Sequence, residues 1–259
     1  MSVSSTTKLR LRNAGIRTGA VAAAIAVWYG LTARADSLFF PTPDKVLSAV
    51  WDDWIRPFST TWSENLRPSL SRLLAGYLIA ATVAIAAGIA IGRSRRLADY
   101  VSPVIDFVRA IPPPALLPLF LVLLGIGDSM KVALIATGVF PPILLNSVDG
   151  VRSIDPLYLE TARVLRIPRH RRITHVILPA AAPKMFAGLR IGMSIAVILM
   201  VISELVAATN GVGFRILQSQ RQFRMVDLWA GLVVLGGIGA ILNAGLTAVE
   251  RRVLRWERR

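Results

Sequence analysis

Six stretches of this chain, near residues 16–34, 70–92, 101–125, 130–148, 188–208 and 229–249, are each long and apolar enough to cross a lipid bilayer, which takes about 20 mostly uncharged residues as a helix. A bilayer offers the backbone no water to bond, so such a run closes its own hydrogen bonds helically. Composition agrees, with 54% of the 259 residues hydrophobic and only 17% charged, against roughly 25% charged in ordinary soluble domains. The expectation is an all-α integral membrane protein with six transmembrane helices. Gly88 with Gly92, and Gly188 with Gly192, recur at helical spacing and let neighbouring helices approach closely. "IPPPALLP" in the third span and "FPP" in the fourth predict a kink or break in each.

A formal net charge of +15 would suit nucleic acid if it were gathered on one surface, but the lysines and arginines flank the apolar runs. Taking 1–17, 93–100, 149–190 and 250–259 as one side places 20 of the 30 basic residues there and 8 on the other. The positive-inside rule then puts both termini in the cytoplasm, and the charge is explained without a nucleic-acid partner. On this reading residues 1–15 form a cytoplasmic basic tail and 16–254 a single transmembrane domain. Residues 155–179 are a cytoplasmic segment between the fourth and fifth spans. The opening residues Lys8, Arg10, Arg12 and Arg17, the apolar run after them and "TARAD", with Ala33 and Ala35 as an A-x-A site, also fit a cleaved signal peptide. The retained span is the reading adopted, and cleavage would leave 155–179 on the same side. The chain has no cysteine, which excludes disulfides, thiol chemistry and cysteine zinc sites.

The cytoplasmic segment contains "YLETARVLRIPRHRRITHVILP", residues Tyr158 to Pro179. Before it, Asp155 and Pro156 form a helix start, an N-cap followed by proline at the first helical position. Along that helix Leu157, Tyr158, Ala162 and Leu165 are expected to share one face, with Glu160 and Arg163 elsewhere. Pro168 turns Ile167 away from helical angles and opens a second short helix, striped by Ile173, Val176 and Ile177 and ended by Leu178 and Pro179. Two short amphipathic helices at an angle suit two roles. They rest on anionic lipid through the cluster from Arg169 to Arg172, or a cytoplasmic partner grips them and moves the attached spans.

Charges within apolar spans are functional candidates, because each is costly at membrane depth. Asp106 and Arg109 are three apart and can pair. Beside them Pro112, Pro113 and Pro114 interrupt the helix, and irregular backbone at membrane depth is tolerated only within protein or against a water-filled cavity. Arg109, Pro112 and Pro113 are therefore candidates to line a pathway, pairing with Asp106 being the first reading of Arg109 and contact with a solute, if that solute is an anion, the second. Glu204, near the outer end of the fifth span, is a further candidate, for the pathway or for contact with water or a neighbouring arginine. Asn146 is expected to join helices. His170 and His175 lack surrounding carboxylates or cysteines, so no metal site is expected.

The segment resembles the EAA motif of bacterial ATP-binding-cassette importer permeases: EAA, three residues, G, nine residues, then I-x-LP. Glu160, Ala162, Leu178 and Pro179 fall on it, with Thr161 at the second position and Val176 at the isoleucine. Arg166 stands where the family prefers glycine. A side chain in the left-handed region costs roughly 1–2 kcal/mol, so either Arg166 accepts that strain or, as expected here, the bend is made at Ile167 and Pro168 instead. "FFPTPDKV", "RLLAGYLIAATVAIAAGIAIGRSRRL", "FVRAIPPPALLPLFLVLLGIGDSMK", "FPPILLNSVDGVRSIDP" and "VERRVLRW" extend the resemblance from about Phe39 to Trp256, to permeases of the nitrate, sulfonate and taurine branch.

That resemblance implies a type I importer permease fold in a bacterial plasma membrane. Two permease copies, a homodimer in lipid, form the path for a small solute such as an alkanesulfonate, taurine or nitrate. Two cytoplasmic ATPase subunits dock on the motif and an external solute-binding protein delivers the cargo. The chain has no G-x-x-x-x-G-K-[ST] phosphate loop, and the nearest cluster, "GIGDSMK", has the wrong spacing. It is therefore expected to be no enzyme and to bind no cofactor, ATP and Mg2+ being used by the partner ATPase. A stand-alone channel or secondary transporter is the alternative. A membrane enzyme would need a reactive set in one pocket, and the candidates reduce to Asp106, Arg109 and Glu204.

Overall fold

The computed structural model describes residues 3–35, 37–56 and 60–258, and among them there are helices and turns but no strand. They fall into two compact units, Met1–Trp62 with Ile216–Val234, and Ser63–Arg215 with Leu235–Arg259. In the first unit α1 (Val3–Ala35) is followed by α2 (Pro43–Ala49), which runs on into a π-helical turn, Val50–Ile55. Buried Val46, Val50 and Ala230 make a small core, with Trp28 and Trp229 packed against it. The two indoles lie 5.7 Å apart, and Trp229 Nε1 donates to the Phe39 carbonyl at 2.9 Å, so the half-buried ring packs without stranding its N–H.

The second unit holds α3 (Arg67–Gly92), α4 (Arg95–Ala110), α5 (Leu117–Leu124), α6 (Asp128–Arg152), α7 (Pro156–Val164), α8 (Arg169–Arg172) and α9 (Leu178–Val206). Two further helices, α10 (Val212–Arg221) and α11 (Met225–Val253), contribute residues to both units. Four continuous helices among the described residues are long and apolar enough to span a bilayer: Trp62–Gly92, Asp128–Arg152, Arg169–Val206 and Met225–Val253. The predicted third span is a pair, α4 with Pro113–Leu124, bent by 83°. The predicted first span falls in α1, where Gly19–Arg34 is a shorter apolar stretch.

The prolines behave differently in the two places they were expected to break a helix. At "IPPP" the helix stops: Ile111 and Pro112 are extended, and a short 3-10 turn, Pro113–Leu116, restarts it. A proline disfavours α-helical angles in the residue before it, which accounts for extended Ile111 and Pro112. At "FPP", where a kink or break was expected, the helix is not interrupted, and α6 runs on through Pro141 and Pro142. There the helix is held along its buried face, with Ile135, Val139, Ile143 and Leu144 in one core with residues of α3 and α9. Neighbouring helices of this kind let a membrane helix tolerate lost N–H groups.

That core joins Leu73, Tyr77, Ala80 and Ala84 of α3, the α6 residues above, and Met193, Ala196, Leu199 and Met200 of α9. Its closeness depends on the predicted small residues. A Cβ added at Gly92 would lie 2.7 Å from Val151 Cβ, and one at Gly188 would lie 2.7 Å from Asn146 Cβ. Asn146 does not join the helices through its amide, which donates to the Pro142 carbonyl of its own helix at 2.8 Å; its Cβ instead packs against Gly188. Apolar helices in lipid gain little from hydrophobic burial against each other, so contact rests on such fit. Gly188→Leu should therefore cost about 1–3 kcal/mol through overpacking and lower the unfolding midpoint in detergent. Gly236→Leu, where an added Cβ meets nothing within 4 Å, should leave it unchanged.

Candidate functional site

The segment between α6 and α9 begins as its residues predict, with Asp155 Oδ1 accepting the Leu157 N–H at 2.9 Å and Pro156 in the first turn of α7. The expected apolar face is divided. Ala162 is 2% exposed, and Leu159 packs with Ile173 and Leu178 onto a small core of Val151, Ile154, Ile177, Ala181 and Met185. Leu157, Tyr158 and Leu165 point outward, joined by Val164 at 81% exposure. Leu159 and Ala162 lie three apart, which sets them on one narrow stripe of the helix, and alanine lets that stripe come close. Glu160 and Thr161 are exposed beside the outward apolar residues.

Arg166 itself takes the left-handed conformation, with φ of 50°; the bend is not made by Ile167 and Pro168 in its place. Its N–H donates to the Arg163 carbonyl at 2.9 Å, and the Ile167 N–H reaches the Ala162 carbonyl at 3.0 Å. These are the two bonds of a Schellman terminus, and they satisfy carbonyls the helix end would otherwise leave bare, against the steric cost of the arginine Cβ. The second short helix is not separate and does not end at Leu178 and Pro179. One helix runs from Arg169 to Val206, through a π-helical turn, Ile173–Ile177, where the Leu178 N–H bonds the Ile173 carbonyl five residues back. That shift leaves Pro179 in the first turn of the α-helical stretch, where a missing N–H is harmless. Val176, Leu178 and Pro179 are half-buried there.

At the other end of the same long helix, Glu204 is enclosed: its side chain has no exposure. Its carboxylate accepts from Ser69 Oγ at 2.7 and 2.9 Å, from Arg72 Nη1 at 3.0 Å and from the Gly213 N–H at 3.0 Å. Arg72, likewise buried, also donates through Nε to Asp128 Oδ1 at 2.7 Å and through Nη2 to Asn210 Oδ1 at 2.5 Å. Ser69 Oγ accepts the Val212 N–H, and Asn65 Oδ1 the Gly211 N–H. One cluster thus ties the starts of α3 and α6, the end of α9 and the loop after it. Gly211 has φ of +120°, and any side chain there would strike the Glu204 carboxylate.

The bend after α4 holds the other charged candidates. Arg109 Nε lies 3.0 Å from Asp106 Oδ1, and both side chains are more than half exposed. Pro112 is exposed, its carbonyl accepting the Ala115 N–H at 2.9 Å, and Pro113 packs over Gly138 of α6. Arg109, Pro112 and Pro113 therefore stand together at the break, while the partners of Glu204 include none of them. Arg72 carried no role in the sequence reading. The usable signal was a lone cation in one apolar span matching a lone carboxylate in another, with a glycine-rich loop beside the latter. His175 Nδ1 lies 2.7 Å from Thr174 Oγ1, and no group of three metal-ligating residues occurs among the described residues.

Breaking a buried ion pair by removing one partner costs about 3–5 kcal/mol, because the other charge is left bare. Arg72→Ala and Glu204→Ala should each lower the unfolding midpoint in detergent sharply, and the double substitution Arg72→Met with Glu204→Met should recover most of the loss. Additive losses would show that the two charges act independently.

Residues 80–255 match the family described as binding-protein-dependent transport system inner membrane component. The taurine transport system permease protein of Escherichia coli is 33% identical over 251 residues, 95% of this chain and 90% of that protein. The bicarbonate transport system permease protein of Synechococcus elongatus is 33% identical over 188 residues, 72% of this chain and 68% of that protein. Among solved structures, the methionine ABC transporter in an inward-facing conformation aligns with a TM-score of 0.65 at 18% identity, over 73% of this chain and 94% of that one. With bilayer-length helices, a broken third span and this agreement over most of its length, the chain belongs to the family of binding-protein-dependent inner-membrane transport components and has the type I ABC importer permease fold.

Proposed function

We propose that this importer subunit passes a small solute carrying an anionic group, a sulfonate, nitrate or carbonate-type anion, delivered by an external binding protein. Two copies form the pathway, and two cytoplasmic ATPases dock on α7 and supply the energy. The observation that carries this reading is the outward stripe of Leu157, Tyr158, Val164 and Leu165 beside exposed Glu160. An exposed apolar surface of this kind marks a contact with protein or membrane; the exposed acid of Glu160 beside it suits a protein partner better than anionic lipid, and a stand-alone channel needs no such partner. Relatives named for taurine, aliphatic sulfonates and bicarbonate support the cargo class. The concentration of basic residues around this segment supports a cytoplasmic α7 and cytoplasmic termini.

The coupling role belongs to this chain's own backbone. A push on α7 passes through the Schellman turn at Arg166 into the helix that begins at Arg169, and through the packing of Leu159 into the core that includes Val151 of α6. Arg109, exposed where the backbone leaves the helix, offers guanidinium N–H groups to a passing anion while Asp106 holds its Nε side. The chain supplies no catalytic group to hydrolysis, for which ATP and Mg2+ are bound by the partner.

In proteoliposomes with the partner ATPase and binding protein, Glu160→Ala and Leu165→Asp should each reduce ATP-driven taurine uptake about tenfold or more, as loss of an interface anchor does, with insertion unchanged. Normal uptake by both would rule out α7 as the docking helix. Arg109→Ala breaks an exposed ion pair worth at most about 1 kcal/mol, so the complex should assemble normally while anion uptake falls. Unchanged uptake would confine Arg109 to its contact with Asp106.

A further inference from the structure

A cavity of about 680 Å³ lies at the α7 end of the second unit, between the last residues of α3 and α6, the first turn of α4, and α7. Five of its lining side chains are arginines, Arg93, Arg95, Arg152, Arg163 and Arg172. Its acidic groups are Glu160 and Asp99, and none of these seven residues forms an ion pair among the described residues. Arg172 donates from Nη2 to the Ile167 carbonyl at 3.3 Å, but its Nε is buried with no acceptor. A buried donor left bare is rare in native proteins and is commonly explained by a bound water or ion. Five guanidinium groups in one recess repel each other and raise the local concentration of anions. Their fork geometry matches phosphate oxygens two at a time.

The position narrows the source. Gly92 and Arg152 are the last residues of bilayer-length helices, so the cavity stands at headgroup level, on the side made cytoplasmic by the orientation proposed above. Basic pockets between membrane helices on that side hold anionic lipid headgroups. We infer that this cavity binds a phosphate group, carried by an anionic phospholipid or by free phosphate, which ties Arg163 of α7 to Arg93 and Arg152 at the ends of the two central spans. The phosphate thereby fixes α7 against the bundle.

The test uses the full chain in phosphatidylcholine nanodiscs containing phosphatidylglycerol, extracted gently and weighed by native mass spectrometry. Wild-type protein should retain phosphatidylglycerol, and R93Q/R152Q should retain roughly tenfold less. R169Q/R171Q, exposed arginines outside the cavity, should match wild type. R93K/R152K, which keeps charge but loses the fork, should fall between. Inorganic phosphate added to lipid-free protein separates the sources. A phosphate-dependent rise in unfolding temperature, lost in R93Q/R152Q and with no lipid retained, assigns the cavity to free phosphate; retained lipid that phosphate does not displace assigns it to the headgroup. Equal retention by wild type and R93Q/R152Q with no phosphate effect overturns the inference, and so does equal loss in R169Q/R171Q. Loss of ATPase co-purification by R93Q/R152Q with unchanged lipid retention also overturns it, the cavity then serving a protein contact. No arm measures uptake, so failure here leaves the transport reading standing, and the reverse.

Discussion

Arg72 and Glu204 hold each other's charge in a place where neither is tolerable alone. Each is buried at the end of an apolar helix, and an isolated charge in such surroundings is strongly penalised. Their pairing is completed by Ser69, Asp128, Asn210 and the Gly213 N–H, so the cluster also decides where α6 begins and how the chain leaves α9. The glycine at 211 follows from the same constraint, because the carboxylate occupies the space a side chain would need.

Away from that cluster, fit rather than charge holds the second unit. The helix α6 is packed between α3 and α9, and Gly92 and Gly188 bring it against both. This much was legible in the sequence, since small residues four apart on apolar helices are a pattern of spacing. The Asp155 cap and the break at "IPPP" were legible for the same reason, being local. The Arg72 and Glu204 pairing was not, because its partners are 132 residues apart and only the assembled bundle brings them together.

The stretch from α6 into α9 shows where local reasoning loses to tertiary context. Pro142 does not interrupt a helix that its neighbours hold in place, and Pro179 failed to end one because a π-helical turn placed it where its missing N–H did no harm. Arg166 accepted a glycine conformation because two main-chain bonds form only if it does. Periodicity placed Leu157, Tyr158 and Leu165 with Ala162, yet the fold buried only the alanine. In a helix this short, a wide apolar arc is split by whichever part of it the rest of the chain covers.

A helix of 38 residues is about 57 Å long, nearly twice the roughly 30 Å of a hydrocarbon core. The stretch from Arg169 to Val206 is therefore a rod with one end projecting from the bilayer and the other fastened at Glu204. A rod clamped at one end swings most at its free end. Any displacement of this rod would be greatest beside α7 and least at the ion cluster, and its shaft has two irregular points where it can give, the π-helical turn at Ile173–Ile177 and the interior Pro183.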